Sequence, residues 1–165
     1  MEGAIMTRRN LILLAGLGSV ALFGGALYFQ YWMGLLPCTM CLWQRWPHRI
    51  AIGLALVGVV FPRAVIAWLG GLTMAVNAGI ALLHTGVELR WWDGPQVCGA
   101  GAAQDVGSLS MEDLFDTTTG PQIVMCNEAA WHFAGLSMAS WNGIFCVVLA
   151  GVWLTAALTK DKARA

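Results

Sequence analysis

The stretch Leu36–Arg49, LPCTMCLWQRWPHR, places two cysteines, Cys38 and Cys41, in a C-x-x-C spacing between two long apolar runs. The run before it ends in Tyr31-Trp32, and the run after it begins near Leu42. Tryptophan and tyrosine favour the boundary between hydrocarbon and water, so the two cysteines read as a thiol pair at a membrane surface. Arg45 follows Cys41 by four residues, and Arg49 follows Arg45 by four. In a helix that starts at Cys41 these three share one face. A fixed cation then stands one turn from a redox-capable thiol.

Outward from this stretch the chain is mostly apolar. Hydrophobic residues make up 58% of it and charged residues 11%, against roughly 25% charged in soluble proteins; that places it in the integral-membrane class. Leu11–Trp32 carries no charge and is long enough to cross a bilayer. Arg8-Arg9 before it also fits an export signal, but the run exceeds a signal core, no A-x-A site ends it, and further runs follow. The second run ends at Phe61, and counting back about 20 residues reaches Leu42. Pro47 is tolerated in a first turn and kinks a helix deeper in, so an irregular first turn is expected here. Ala64–His84 is the third run, with Gly71, Ala75 and Gly79 forming a small-residue stripe suited to helix packing. The fourth is about Ala139–Leu158.

These runs predict one membrane domain over 1–165. It is all-α, an antiparallel bundle of four transmembrane helices at about 11–32, 42–61, 64–84 and 139–158. A short loop, 33–41, and a long polar loop, 85–138, face one side. Arg8, Arg9, Arg63, Lys160, Lys162 and Arg164 face the other. By the positive-inside rule that cation-rich side, with both termini, is cytoplasmic, and the loops are periplasmic. Arg45 and Arg49 then lie on the side poor in cations, near a helix N-terminus that disfavours positive charge. Either they have a functional role, or they are held by a salt bridge or by snorkelling. Within the long loop, Ser110-Met111-Glu112-Asp113 reads as a capping box opening a short amphipathic helix, or as a solvated turn. Net charge is zero, so nothing favours nucleic acid.

Of five cysteines, Cys38 and Cys41 fall in the first outer loop, Cys98 and Cys126 in the second, and Cys146 inside the fourth run as a core thiol. The periplasmic side is oxidising, so four cysteines there imply disulfides. They either staple loops or cycle. A C-x-x-C bridge closes too small a ring to stabilise much, and a thiol at a helix N-terminus beside Arg has a lowered pKa. Both points favour cycling. Two thiol pairs also suit zinc in principle, but Cys98 and Cys126 lack zinc-ribbon spacing, and Leu42 stands where haem attachment needs His. No metal is assigned.

Four runs, the P-C-x-x-C motif followed by Gln44-Arg45, a later loop with two separated cysteines, and the segment Cys126–Trp141, CNEAAWHFAGLSMASW, together resemble the DsbB family. The resemblance covers nearly the whole chain; Pro47 is one departure. In bacteria a DsbA–DsbB–quinone relay is known to keep the periplasm oxidising. The resemblance implies a thiol:quinone oxidoreductase of the bacterial inner membrane whose partner is a DsbA-like periplasmic thiol oxidase and whose cofactor is ubiquinone or menaquinone. It implies that the partner attacks a Cys98–Cys126 bond at Cys98, that Cys126 then attacks Cys38, and that Cys41 is freed as a thiolate facing quinone. Arg45 would stabilise that thiolate and polarise the quinone oxygen, with His84 assisting or merely capping a helix end. The alternatives are a paralogue serving one dedicated partner, a membrane scaffold with structural disulfides, and a thiol-based metal carrier.

Overall fold

A computed structural model of the chain describes residues 6–95, 98 and 124–159. Four helices carry the fold: α1 (Arg8–Tyr31), α2 (Thr39–Val60), α3 (Ala64–Glu88) and α4 (Met138–Leu158). Two short strands, β1 (His132–Phe133) and β2 (Leu136–Ser137), pair antiparallel just before α4. The sequence reading contained no strand. The expected helix at Ser110–Asp113 lies outside the described residues.

Caps set the helix ends. Thr7 Oγ1 accepts from the Asn10 N–H, so α1 opens at Arg8 and takes Arg8 and Arg9 into its first turn. Cys38 Sγ accepts from the Cys41 N–H, and α2 therefore opens at Thr39. That start leaves Pro47 two turns inside the helix rather than in an irregular first turn. Pro47 has no N–H to offer the Trp43 carbonyl, yet the helix runs unbroken to Val60. α3 continues past His84 to Glu88 because the following chain folds back on it. The Trp91 N–H bonds the Gly86 carbonyl, and the Trp92 indole donates to the Leu83 carbonyl. A Cβ at Gly86 would stand 2.0 Å from the Trp92 ring, so only glycine allows this closure.

α1, α3 and α4 are each long and apolar enough to cross a membrane. α2 has the length, but Arg45, His48 and Arg49 in its first half keep it from being counted with them. Each helix packs on its neighbour in sequence, and α4 closes on α1. With links as short as 32–38 and 61–63, consecutive helices α1 to α3 run antiparallel, the pattern of an up-and-down bundle.

The core is built from small residues around a few large ones: Ile12, Ala15, Ala51, Ala67, Met74 and Trp153. Close approach by small side chains is the usual source of helix association in lipid. Gly70 makes room for the Trp153 ring, which a Cβ would meet at 2.4 Å. The expected stripe is only partly used. Gly71 is buried, but Ala75 and Gly79 are exposed. A spacing of four drifts about 40° per step from a 3.6-residue turn, so the contact face instead follows Ala67, Gly70, Met74, Asn77, Ala81 and His84.

Arg8 is not an interfacial charge but a buried tie. Its Nε donates to the Ala156 carbonyl (3.0 Å), Nη1 to the Pro62 carbonyl (3.1 Å) and Nη2 to the Thr159 carbonyl. It thereby satisfies carbonyls at the C-terminal end of α4, where a cation is also favoured. Charged hydrogen bonds contribute about 1.5–3 kcal/mol each. Arg8→Ala is expected to destabilise the bundle by about 3 kcal/mol, read as a lowered unfolding midpoint in detergent. An unchanged midpoint would remove Arg8 from the structural core.

Candidate functional site

The site grows from the N-terminus of α2. As the capping residue, Cys38 places its sulfur over the first turn, 3.2 Å from the Cys41 backbone nitrogen. The two thiols are free, with sulfurs 2.6 Å apart. Disulfide sulfurs lie about 2.05 Å apart, so little movement separates dithiol from disulfide. The two thiols titrate apart. The hydrogen bond shared with Cys41 pushes the Cys38 thiol up, and burial adds to the rise. The Cys41 thiol is lowered, first by that hydrogen bond from Cys38 and less by the Arg45 charge, against burial and Glu88. Of the two, Cys41 is the thiol that ionises first.

The sign gives a test. A lowered pKa keeps the reactive thiolate present at lower pH, so Cys41 alkylation in the reduced chain is expected to titrate below the ordinary thiol value of about 8.5. Cys38 should stay unreactive, and Cys38→Ala should move the Cys41 midpoint upward. Equal midpoints for both thiols, measured by mass spectrometry of iodoacetamide adducts, would refute the assignment.

Behind the dithiol runs a line of buried polar groups. His84 Nε2 lies 3.5 Å from Cys38 Sγ and 3.7 Å from Glu88 Oε1. Ser137 Oγ, the cap of α4, donates to the other Glu88 oxygen. His84 Nδ1 meets Gln44 Nε2 at 2.8 Å, and Asn142 Nδ2 donates to Gln44 Oε1 at 2.7 Å. Asn142 Oδ1 lies 2.9 Å from His48 Nε2. Cys146 stands 3.9 Å beyond His48 and accepts from Asn77 Nδ2. Since Asn142 gives its N–H to Gln44 Oε1, Gln44 turns its own N–H toward His84, which leaves Nδ1 bare and the proton on Nε2. His84 is 3% exposed, a turn inside α3 rather than at its end. Cys146 is buried as expected.

Sequence reasoning missed Gln44, Glu88, His48 and Asn142 as parts of the site. Two had a local signal: Gln44 comes three residues after Cys41, and Glu88 four after His84, the spacings that share a helix face. His48 and Asn142 are polar residues inside apolar runs, where such residues usually mark function.

A cavity of about 490 Å³ opens beside these groups, with Cys38, Cys41, Arg45 and His84 in its wall. Aromatic rings form much of the rest. Trp131, Phe133, Trp141 and Phe145 follow one another at centroid spacings of 5.9, 6.2 and 5.9 Å, and Phe29 sits 5.1 Å from Trp131. The hairpin aims this ladder. Ala134 and Gly135 both have positive φ, the signature of a two-residue turn that matches strand twist. Trp141 then donates to the Phe133 carbonyl. Such a lining suits a flat apolar ring, and the volume lies within the range of small-molecule sites. Arg45 Nη1 donates to Gln30 Oε1, which fixes the guanidinium between α1 and α2. Arg49 does not line the cavity; its guanidinium lies 5.0 Å from the Phe23 and Trp46 rings, within cation–π range of both.

Cys98 and Cys126 form a disulfide. They pack in one cluster with Cys38, Met40 and Val87, yet neither lines the cavity. Cys98 is 7% exposed and Cys126 fully buried. The Cys126 backbone lies beside His84. Two cysteine pairs far apart in sequence are thus gathered at one end of the bundle, one on the cavity and one beside it.

The model of the family described as Disulfide bond formation protein DsbB matches residues 8–156, which takes in α1 to α3, α4 as far as Ala156 and all five cysteines. The chain belongs to the DsbB family. Relatives named Disulfide bond formation protein B match it over most of its length. The one from Pasteurella multocida is 31% identical over 83% of this chain and 78% of its own. That from Xanthomonas euvesicatoria pv. vesicatoria is 31% identical over 86% of each. That from Hahella chejuensis is 29% identical over 91% of this chain and 93% of its own. No solved structure matches significantly. As a DsbB-family member with α1, α3 and α4 each able to span a bilayer, the chain is a multi-pass membrane protein of disulfide bond formation, a disulfide oxidoreductase.

Proposed function

We propose that this DsbB-family chain reoxidises a DsbA-like periplasmic thiol oxidase and passes the electrons to a membrane quinone, ubiquinone or menaquinone. The observation that carries the reading is the placement of Cys41 and Arg45 in the wall of one aromatic-lined cavity. The donor set fits a quinone: a flat apolar ring finds aromatic walls, and its carbonyl oxygens find the Arg45 guanidinium and the His84 Nε2–H. When bound, quinone accepts two electrons and two protons and leaves as quinol.

The chain's own residues perform the exchange. The partner's thiolate attacks the Cys98–Cys126 bond at Cys98, the more exposed residue of the two. Cys126 leaves as a thiolate and attacks Cys38 of an oxidised Cys38–Cys41 pair. The partner's second thiol releases Cys98 and completes the partner's disulfide. Cys98 then attacks Cys126, which restores their bond and leaves Cys38 and Cys41 as a dithiol. Packing of the Cys98–Cys126 bond against Cys38 supports that order. Cys41 holds its negative charge next to Arg45, a preorganised cation at the place where charge develops. Topologically, α2 is the fourth span over about 42–61, the cysteine end of the single domain is periplasmic, both termini are cytoplasmic, and the membrane is the bacterial inner membrane.

The test is turnover by the purified full chain in detergent, supplied with a reduced DsbA-like protein and a soluble quinone analogue. Loss of quinone absorbance at a catalytic rate is expected. A chain whose outer cysteines stay oxidised without quinone, and which reduces none of it, is a scaffold instead.

A further inference from the structure

We propose that the dithiol form of this site binds one zinc ion through Cys38 Sγ, Cys41 Sγ and His84 Nε2, with Glu88 as the fourth ligand. Thiolate, imidazole and carboxylate are the donors zinc takes. The sequence hid this set because it is assembled from two helices rather than from a ribbon of paired cysteines. The three sulfur and nitrogen atoms all lie within 4.8 Å of one another. With Zn–S near 2.3 Å and Zn–N near 2.0 Å, a tetrahedral ion holds its ligand atoms about 3.4–3.8 Å apart. Cys38 Sγ to His84 Nε2 is 3.5 Å, and His84 Nε2 to Glu88 Oε1 is 3.7 Å. The sulfurs, at 2.6 Å, must open by about 1 Å, and Glu88, which stands outside the group formed by the other three ligands, must close on them.

A second observation points the same way. Zinc ligands are normally held by hydrogen bonds on their far side. Gln44 holds the far nitrogen of His84, and Ser137 holds the far oxygen of Glu88. The amides of Gln44 and Asn142 turn over when the metal takes Nε2, because Nδ1 then carries the proton. The contact between His84 and the Cys126 backbone is what the ion displaces. Charge also closes. Two thiolates and one carboxylate balance zinc together with the Arg45 guanidinium, so the loaded site is formally neutral where water is scarce.

Binding releases thiol protons and changes no oxidation state. A Cys38–Cys41 disulfide has no thiolate to offer, so zinc takes only the reduced site. It holds the pair as a dithiol, and under the quinone reading it stops the cycle there. The binding itself does not depend on that reading.

The experiment uses the full chain with Cys98→Ser and Cys126→Ser, so that one external thiol pair remains, in detergent. Zinc chloride is titrated against a chromophoric chelator, and cadmium chloride reports thiolate ligation by ultraviolet charge-transfer absorption. One tightly held equivalent is expected in the phosphine-reduced chain and none in the oxidised chain. His84→Ala and Glu88→Gln should each weaken binding at least tenfold, and Gln44→Leu about tenfold to a hundredfold. Glu88→Gln keeps the side-chain shape and an acceptor for Ser137, so it reports even where His84→Ala fails to fold. No stoichiometric binding to the dithiol, equal binding to the disulfide form, or unchanged affinity in both His84→Ala and Glu88→Gln overturns the proposal.

Discussion

Cys98→Ser is expected to leave no measurable turnover with a reduced DsbA-like partner, while the Cys38–Cys41 pair stays oxidisable by quinone. In the proposed relay the two cysteine pairs divide the labour by position. Cys38 and Cys41 line the cavity, where a membrane-soluble acceptor can meet them, and Cys98 and Cys126 do not. Cys98 is the more exposed residue of the outer bond, and its neighbours in sequence belong to a long polar stretch. Without Cys98 there is no bond for the partner to attack. The α2 cap that places Cys38, the Cys41 thiolate and Arg45 are untouched. Single-turnover stopped-flow on the pre-reduced chain, set against steady-state assays with the partner, separates the two. Normal partner turnover in Cys98→Ser would mean that the outer bond is only a staple and that Cys38–Cys41 meets the partner directly.

Arg45→Ala is expected to slow the quinone half-reaction about tenfold to a hundredfold and to weaken apparent quinone affinity. Two unit charges about 4 Å apart interact by about 4 kcal/mol at an effective dielectric near 20. Water at the membrane boundary screens part of that, and each 1.4 kcal/mol retained in the transition state is a factor of about ten in rate. Gln30 matters here as well, since its carbonyl pins one guanidinium nitrogen and so fixes the direction of the rest. Arg45→Lys should keep part of the rate, because it retains charge but loses the planar fork. Exchange between the partner and Cys98–Cys126 should change little. An unaffected quinone step with a slowed partner step would make Arg45 a docking or structural residue.

Much of this was legible in the sequence because it is local. The apolar runs mark the helices within a turn, and Cys38, Cys41 and Arg45 lie within eight residues of one another on one helix. The errors at helix ends came from single side chains. Thr7 and Cys38 cap earlier than hydropathy suggests, and the Trp91–Trp92 fold-back carries α3 as far as Glu88. That last turn matters most, because it brings Glu88 under His84 and within reach of Ser137. The short hairpin before α4 was unread because strands of two residues carry no periodicity. Gln44, His48, Asn142 and Asn77 come from three helices, and only packing puts them in line. No spacing along the chain encodes that contact.

That line of buried polar groups bears on something other than thiol chemistry. A bundle that crosses an energised membrane must not let hydrogen ions leak, since each elementary charge moved across is worth about 2.3 kcal/mol per 100 mV. His84 and His48 alone, joined by water, would offer a stepping path from the cavity into the middle of the bundle. Here the links between them are carboxamides, Gln44 and Asn142. A carboxamide donates and accepts hydrogen bonds but does not readily take up one hydrogen ion and release another. The two amides therefore insulate while they align. Each holds one nitrogen of a buried imidazole, and under the proposed quinone reading the hydrogen ions that accompany the electrons would stay on the side where the dithiol gives them up.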